Sequence, residues 1–252
     1  MSRAATIGSV VTRSRLSDLE IVLVDLGASR ALLESEEAST LRLSASDRLR
    51  VDRLSGDPAR QSLWRAARVA TRIVLERAIG PRVRGADFEI ASGGRPSLSE
   101  GFPHFNVSHT ADVALIAVCR SSLVGVDIES HRALSISPER RRRIVAAAAR
   151  FTGDEANPDN DVDVLVAWVR LEAVAKARGA GIGVLLTEQG VIGSAGEKRE
   201  KSAKSSPAVT DLDVGTSYVG AVAADALPEK IAVRRFPKHT DELAEFLSEF
   251  ST

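Results

Sequence analysis

A chain of 252 residues, 44% apolar and 27% charged, has the size and composition of a packed globular protein; with aromatics at only 4%, Val, Leu, Ile and Ala must fill its core. Thirty-four Lys and Arg cancel thirty-four Asp and Glu, so overall charge selects neither nucleic acid nor an anionic membrane, and an anionic ligand would need a local cluster of cations. A single cysteine, Cys119, set in an apolar run, excludes an internal disulfide and a cysteine-rich zinc site and reads as a small buried hydrophobe.

Residues 1–15 mix Arg, Ser and Thr, and their apolar piece "IGSVV" is too short for a signal-peptide core, so a frayed terminus is expected. No run approaches the roughly 18 apolar residues a membrane span requires, and a cytoplasmic location is expected. "DLEIVLVDL" (Asp18 to Leu26) predicts a strand, and the Arg-, Leu- and Ala-rich stretch from Ser46 to Ile79 a helical region broken at Gly56-Asp57-Pro58. In its second half Leu63, Ala66, Ala67, Ala70 and Val74 line one face, while Arg65, Arg68 and Arg72 form a stripe that is either solvated or available to phosphate.

"DFEIASGGRPSL" predicts a strand running into a Gly-Gly-Arg-Pro turn. "DVALIAVC" and "LVGVDIE" then predict two paired strands joined by Arg120-Ser121-Ser122. Ser137-Pro138 starts a helix through "ERRRRIVAAAARF", and a second helix should run from about Val162 to Arg178, stopping at Gly179. The segment "GSAGEKREKSAKSSP" has no apolar period and reads as an exposed loop; "TSYVGAVAAD" and "IAVRRF" read as strands, and "TDELAEFLSEF" as a closing helix capped by Thr240. "VALIAV" at Val113 faintly echoes "YVGAVA" at Tyr218; two similar α+β halves would explain it, as would chance recurrence of short Val/Ala strings.

Asp127 and Glu129 are two apart on a predicted strand, so both carboxylates leave the same face, where they need a cation or solvent. Oxygen ligands of this kind suit Mg2+, which takes one or two carboxylates together with substrate phosphates. Glu172 and Lys176, at i and i+4, share a helix face and could equally be a surface ion pair.

Four blocks, "GGRP" (Gly93 to Pro96), "FNVSHT" (Phe105 to Thr110), "GVDIE" (Gly125 to Glu129) and "WVRLEAVAK" (Trp168 to Lys176), resemble in order and approximate spacing the GKP, FNxSHS, GxDxE and WxxKEAxxK patterns of the 4'-phosphopantetheinyl transferases of the surfactin-synthetase-activating type. The resemblance implies an α+β fold made of a pseudo-twofold pair of similar subdomains, here 1–120 and 121–252, with coenzyme A and Mg2+ in the cleft between them. It implies transfer of 4'-phosphopantetheine from coenzyme A to a serine of an acyl or peptidyl carrier protein, and a monomeric protein that needs neither nucleic acid nor membrane. Asp127, Glu129 and Glu172 fall on the family's metal-binding acids, and Glu172 also on its candidate general base. Arg95, followed by Pro96, falls on the phosphate-contacting Lys, His109 on the His that contacts the coenzyme A phosphate, and Lys176 on the Lys that contacts the pyrophosphate. Asn106, Ser108 and His109 would hold the nucleotide end. Arg48 is the candidate for the 3'-phosphate, with Arg50 and Arg53 competing.

Two positions depart from the pattern. Arg95 replaces Lys, exchanging a point charge for a planar fork, and Leu171 replaces the Lys directly before Glu172, with Arg170 about 100° away around the helix. Leu171 motivates the alternative of a catalytically impaired coenzyme A-binding protein; a metal-dependent diphosphate hydrolase would use the same acids. The run Arg140-Arg141-Arg142-Arg143 is either a solvated helix face or a surface for an acidic carrier protein.

Overall fold

The computed structural model describes residues 18–90, 94–99, 102–193 and 206–248; the terminus expected to fray, Gly93 of the Gly-Gly turn and most of the Ser-rich loop lie outside these. The chain opens with strand β1 (Leu19–Asp25) and three helices, α1 (Arg30–Ser39), α2 (Ala45–Asp52) and α3 (Pro58–Ile79). Two short strands, β2 (Glu89–Ile90) and β3 (Pro96–Ser97), precede β4 (His104–Thr110), β5 (Val113–Cys119) and β6 (Val124–Ser130). Helices α4 (Pro138–Thr152), α5 (Asp161–Ala177) and α6 (Ile182–Glu188) follow, then β7 (Ala208–Leu212), β8 (Tyr218–Ala224), β9 (Val233–Arg235) and α7 (Thr240–Ser248).

Local chemistry accounts for the helix boundaries. Ser44 and Asp47 form a reciprocal capping box at the start of α2; Asp57 accepts the Arg60 N–H and Pro58 occupies the first turn of α3, which is why the helical stretch breaks where the Gly-Asp-Pro sequence falls. Ser137 caps α4, which ends at Gly153 in the left-handed conformation (φ 77°), and Asn160 caps α5 by accepting from the Val162 and Asp163 N–H groups.

The result is an α+β protein with two principal sheets, ordered β4-β5-β1-β9 and β6-β8-β7. In each, the second strand of a hairpin (β5, β8) is central, flanked by its hairpin partner (β4, β7) and by the strand that precedes the helices (β1, β6), all antiparallel. The echoing strings "VALIAV" and "YVGAVA" are these two central strands. Alternation along each strand then makes layers. Val22, Val24, Ala114 and Ile116 pack against α1, α3 and α7, while Val219, Ala221 and Ala223 pack against α4 and α5. The opposite faces, with Ile21, Leu23, Leu115 and Ala117 on one sheet and Val124, Val126, Ile128 and Val222 on the other, form a third core between the sheets that includes buried Cys119.

Three expectations are corrected. β5 and β6 are not a hairpin: β5 is paired on both sides by β1 and β4, and the connection at 120–123 carries the chain into the other sheet, where β6 pairs with β8. β5 is apolar on both faces and β6 on one, and alternation says which face is covered, not which neighbour each strand takes. The Arg stripe of α3 is solvated only at Arg65, which is exposed: Arg72 is fully buried and its Nε donates to Asp47 at 2.7 Å, and Arg68 pairs with Asp47 at 3.2 Å while lying over the Trp64 and Phe88 rings. Finally, β9 runs parallel to β1 and α7 packs on α3, so residues 233–248, placed by the division at 120 and 121 in the second half, return to the first sheet. Among the described residues no helix is long and apolar enough to cross a membrane.

Candidate active site

A missing side chain sets the distance between β6 and α5. A Cβ on Gly125 would lie 2.1 Å from the Ala173 carbonyl oxygen and 2.5 Å from the Ala177 nitrogen, so only glycine lets the helix backbone press onto the strand here. The antiparallel course of helix and strand then carries Lys176 and Glu172 over the face from which Asp127 and Glu129 project. Lys176 Nζ donates to Asp127 Oδ1 at 2.7 Å and to the Val126 carbonyl at 3.0 Å.

Asp127 is almost buried, and its Oδ1 also accepts from Ser108 Oγ at 2.6 Å. One strand position away, the Val126 N–H donates to Asn106 Oδ1 at 3.0 Å. Asn106 and Ser108 thus tie the edge of β6 to β4 of the other sheet, and Ser108 aims the Asp127 carboxylate. His109, on the alternate face of β4, is exposed. Of the "FNVSHT" polar residues, Asn106 and Ser108 serve the junction between the sheets and His109 lies on the opposite face of the strand.

Glu172 sits half-buried on α5, while Lys176 is turned to Asp127, which leaves Glu172 without a hydrogen-bond partner among the described residues. Burial pushes its carboxyl above the usual carboxylate range; the negative charges of Asp127 and Glu129 push the same way, and Lys176 offsets only part of this. Glu172, distant in sequence from Asp127 and Glu129, therefore shares one electrostatic environment with them. Glu129 is held at its other side by Arg132, whose Nη1 donates to Glu129 Oε2 at 2.7 Å.

Arg95 supplies a second feature that sequence alone did not reveal. Its Nη2 reaches the Phe105 carbonyl at 3.3 Å, but Nε and Nη1 are buried with no hydrogen-bond partner among the described residues. Burial lowers the pKa of this guanidinium, and its charge, after burial, also lowers that of nearby His104. Unpaired buried donors on a cation are costly and fit an anionic ligand. Pro96 lies beside it in β3, paired with Ile90. Arg48 is exposed on α2 and its Nη1 is held by the Leu43 carbonyl at 2.6 Å; Arg50 and Arg53 are likewise exposed.

Leu171 is fully buried in the core of the second half, and Arg170 is committed to Asp211 at 2.7 Å and Asp154 at 3.2 Å on the far side of α5. Neither provides a cation beside Glu172. In the run on α4, Arg141 bonds the Leu134 carbonyl and Asp161, and Arg143 pairs with Glu139; Arg140 and Arg142 are exposed.

The donor set fits a hard divalent cation: oxygen ligands only, in carboxylate excess, with the Glu172 carboxyl already raised by burial and by its acidic neighbours. Among the described residues, however, no three such groups are drawn together as a ready coordination shell. Lys176 and Arg132 occupy Asp127 and Glu129 instead. Comparison with models of known protein families and with curated sequences yields no match.

Proposed function

We propose that the chain transfers 4'-phosphopantetheine from coenzyme A to a serine of an acyl or peptidyl carrier protein. The observation that carries the reading is the meeting of the four motif blocks. Asp127 and Glu129 lie under Glu172 and Lys176, braced by Asn106 and Ser108, while Arg95 offers buried, unpaired donors one strand away. The common strand order of the two sheets supports a pseudo-twofold pair of α+β subdomains, with the site where β4 of one meets β6 of the other.

Asp127, Glu129 and Glu172 would hold Mg2+, which supplies charge neutralisation at a diphosphate when bound. Arg95 binds a phosphate of coenzyme A with its two free donors, and His109, exposed at the end of β4, contacts the ligand from the other side. Lys176 moves from Asp127 to the diphosphate oxygens and stabilises the charge that grows on them. Glu172, whose carboxyl holds a proton more readily than a free one, takes the proton of the carrier serine. The serine oxygen bonds to the β-phosphorus as the phosphorus–oxygen bond to adenosine 3',5'-bisphosphate breaks, and the serine keeps the phosphopantetheine.

The test is mass spectrometry of a panel of apo-carriers incubated with the protein, coenzyme A and Mg2+. A gain of one phosphopantetheine on at least one carrier, lost with Asp127→Ala and Glu172→Ala, is expected. Binding of coenzyme A without any transfer would reject the reading in favour of a coenzyme A-binding protein. Release of adenosine bisphosphate without a carrier would favour a hydrolase.

A further inference from the structure

Each of the two β6 carboxylates already has a side-chain cation against it. Lys176 Nζ lies 2.7 Å from Asp127 Oδ1, and Arg132 Nη1 lies 2.7 Å from Glu129 Oε2. The first pair is largely shielded, with the carboxylate 8% exposed; the second is more open, with Arg132 47% exposed and, among the described residues, anchored additionally only by a long contact to the Ser130 carbonyl at 3.5 Å. Three carboxylates against two cations leave one carboxylate in excess, that of Glu172, which has no hydrogen-bond partner among the described residues. A divalent ion arriving alone must displace two cations from their carboxylates. A diphosphate arriving alone meets a net negative cluster.

Resting on the transferase reading, we propose that Arg132 is a resident counter-ion of Glu129 and a positioning residue that, with Lys176, makes divalent metal and diphosphate bind cooperatively. The diphosphate takes over the two side-chain cations while the ion takes the carboxylates they leave. The incoming pair adds no net charge, so the exchange preserves the balance of the cluster, whereas either partner alone disturbs it. Arg132 suits this role because the guanidinium fork matches phosphate oxygens as well as carboxylate, and because its exposed position lets it swing without repacking.

The experiment measures Mn2+ binding to the full chain by electron paramagnetic resonance, without and with coenzyme A and without any carrier, after correction for Mn2+ held by coenzyme A itself. Arg132→Ala should bind Mn2+ alone about two- to fivefold more tightly than the wild type, the worth of one exposed ion pair. The tightening caused by coenzyme A should shrink by a similar factor, and Arg132→Lys should restore wild-type behaviour in both. Equal Mn2+ affinities for wild type and Arg132→Ala, with binding still lost in Asp127→Ala, overturn the counter-ion role and leave the transferase reading standing. Absence of Mn2+ binding with coenzyme A present, or binding indifferent to both Asp127→Ala and Glu172→Ala, overturns the metal site and this proposal with it.

Discussion

The two halves of the molecule both take charges out of water, but they treat them differently. In the first, Asp47 is matched by Arg72 and Arg68, and Glu76 by Arg42 and Arg84, while Glu37 accepts the Arg42 and Leu43 N–H groups. In the second, Asp127 and Glu129 each have a cation, and Glu172 has none to itself. The pKa directions record the contrast. Burial raises both Glu76 and Glu172, yet hydrogen bonds and charge from Arg84 and Arg42 bring Glu76 below the usual range, whereas neighbouring carboxylates drive Glu172 further up. A buried charge with matched partners is architecture; one left in excess waits for something the chain does not itself provide.

The comparison breaks most sharply at Asp47. Asp47→Ala should leave fully buried Arg72 without its carboxylate and cost about 3–5 kcal/mol, read as a large fall in Tm. If the Tm barely moves, the paired network of the first half is not what holds α2 to α3. Glu172→Gln should do the opposite, lowering kcat for phosphopantetheine transfer by roughly 10²–10³ while raising Tm at pH 7. Loss of stability in this variant would mean that Glu172 is structural.

The pH dependence separates the two glutamates by sign. Glu76, with its folded pKa lowered, contributes stability above the usual glutamate range, lost as pH falls through the folded value, so acid unfolding should be shallower in Glu76→Gln. Glu172, with its folded pKa raised, contributes stability at low pH that is lost as pH rises through the folded value. The Tm advantage of Glu172→Gln should therefore be present at pH 7 and vanish below about pH 4. Denaturation curves between pH 3 and 8 check both signs.

Arg95 is the exception within the first half, a partly buried cation whose Nε and Nη1 have no partner among the described residues. Arg95→Ala should change Tm little and raise KM for coenzyme A about tenfold or more; a large fall in Tm without a change in KM would make it structural. The smallest effect belongs to α4. Replacing Arg140 and Arg142 together by Glu should raise KM for the carrier protein severalfold and leave that for coenzyme A unchanged, while equal effects on both would remove α4 as a docking face.

Much of this was readable along the chain, because the determinants are local. The Gly56-Asp57-Pro58 break, the helix start at Ser137-Pro138, and the common face of Asp127 and Glu129 follow from turn chemistry and periodicity. So does the i, i+4 placement of Glu172 and Lys176 on α5. The resemblance named the residues that meet, but not how. That Gly125 is the contact point for α5, that Asn106 and Ser108 brace the junction of two sheets, and that Arg72 is buried on Asp47 had no signal within reach of a sequence window.

The amino-acid order by itself determined most of the helices and strands, α1, α6 and β7 excepted, and which carboxylates lie side by side, since these depend on neighbours a few residues apart. Which strand pairs with which, and so which acids share a charge environment and which arginine keeps two buried nitrogens unpaired among the described residues, was decided only by tertiary structure. Alternation states that a face will be buried and is silent about what will cover it. β5 and β6, adjacent in the chain, part into different sheets: β5 lies between β1 and β4, and β6 pairs with β8.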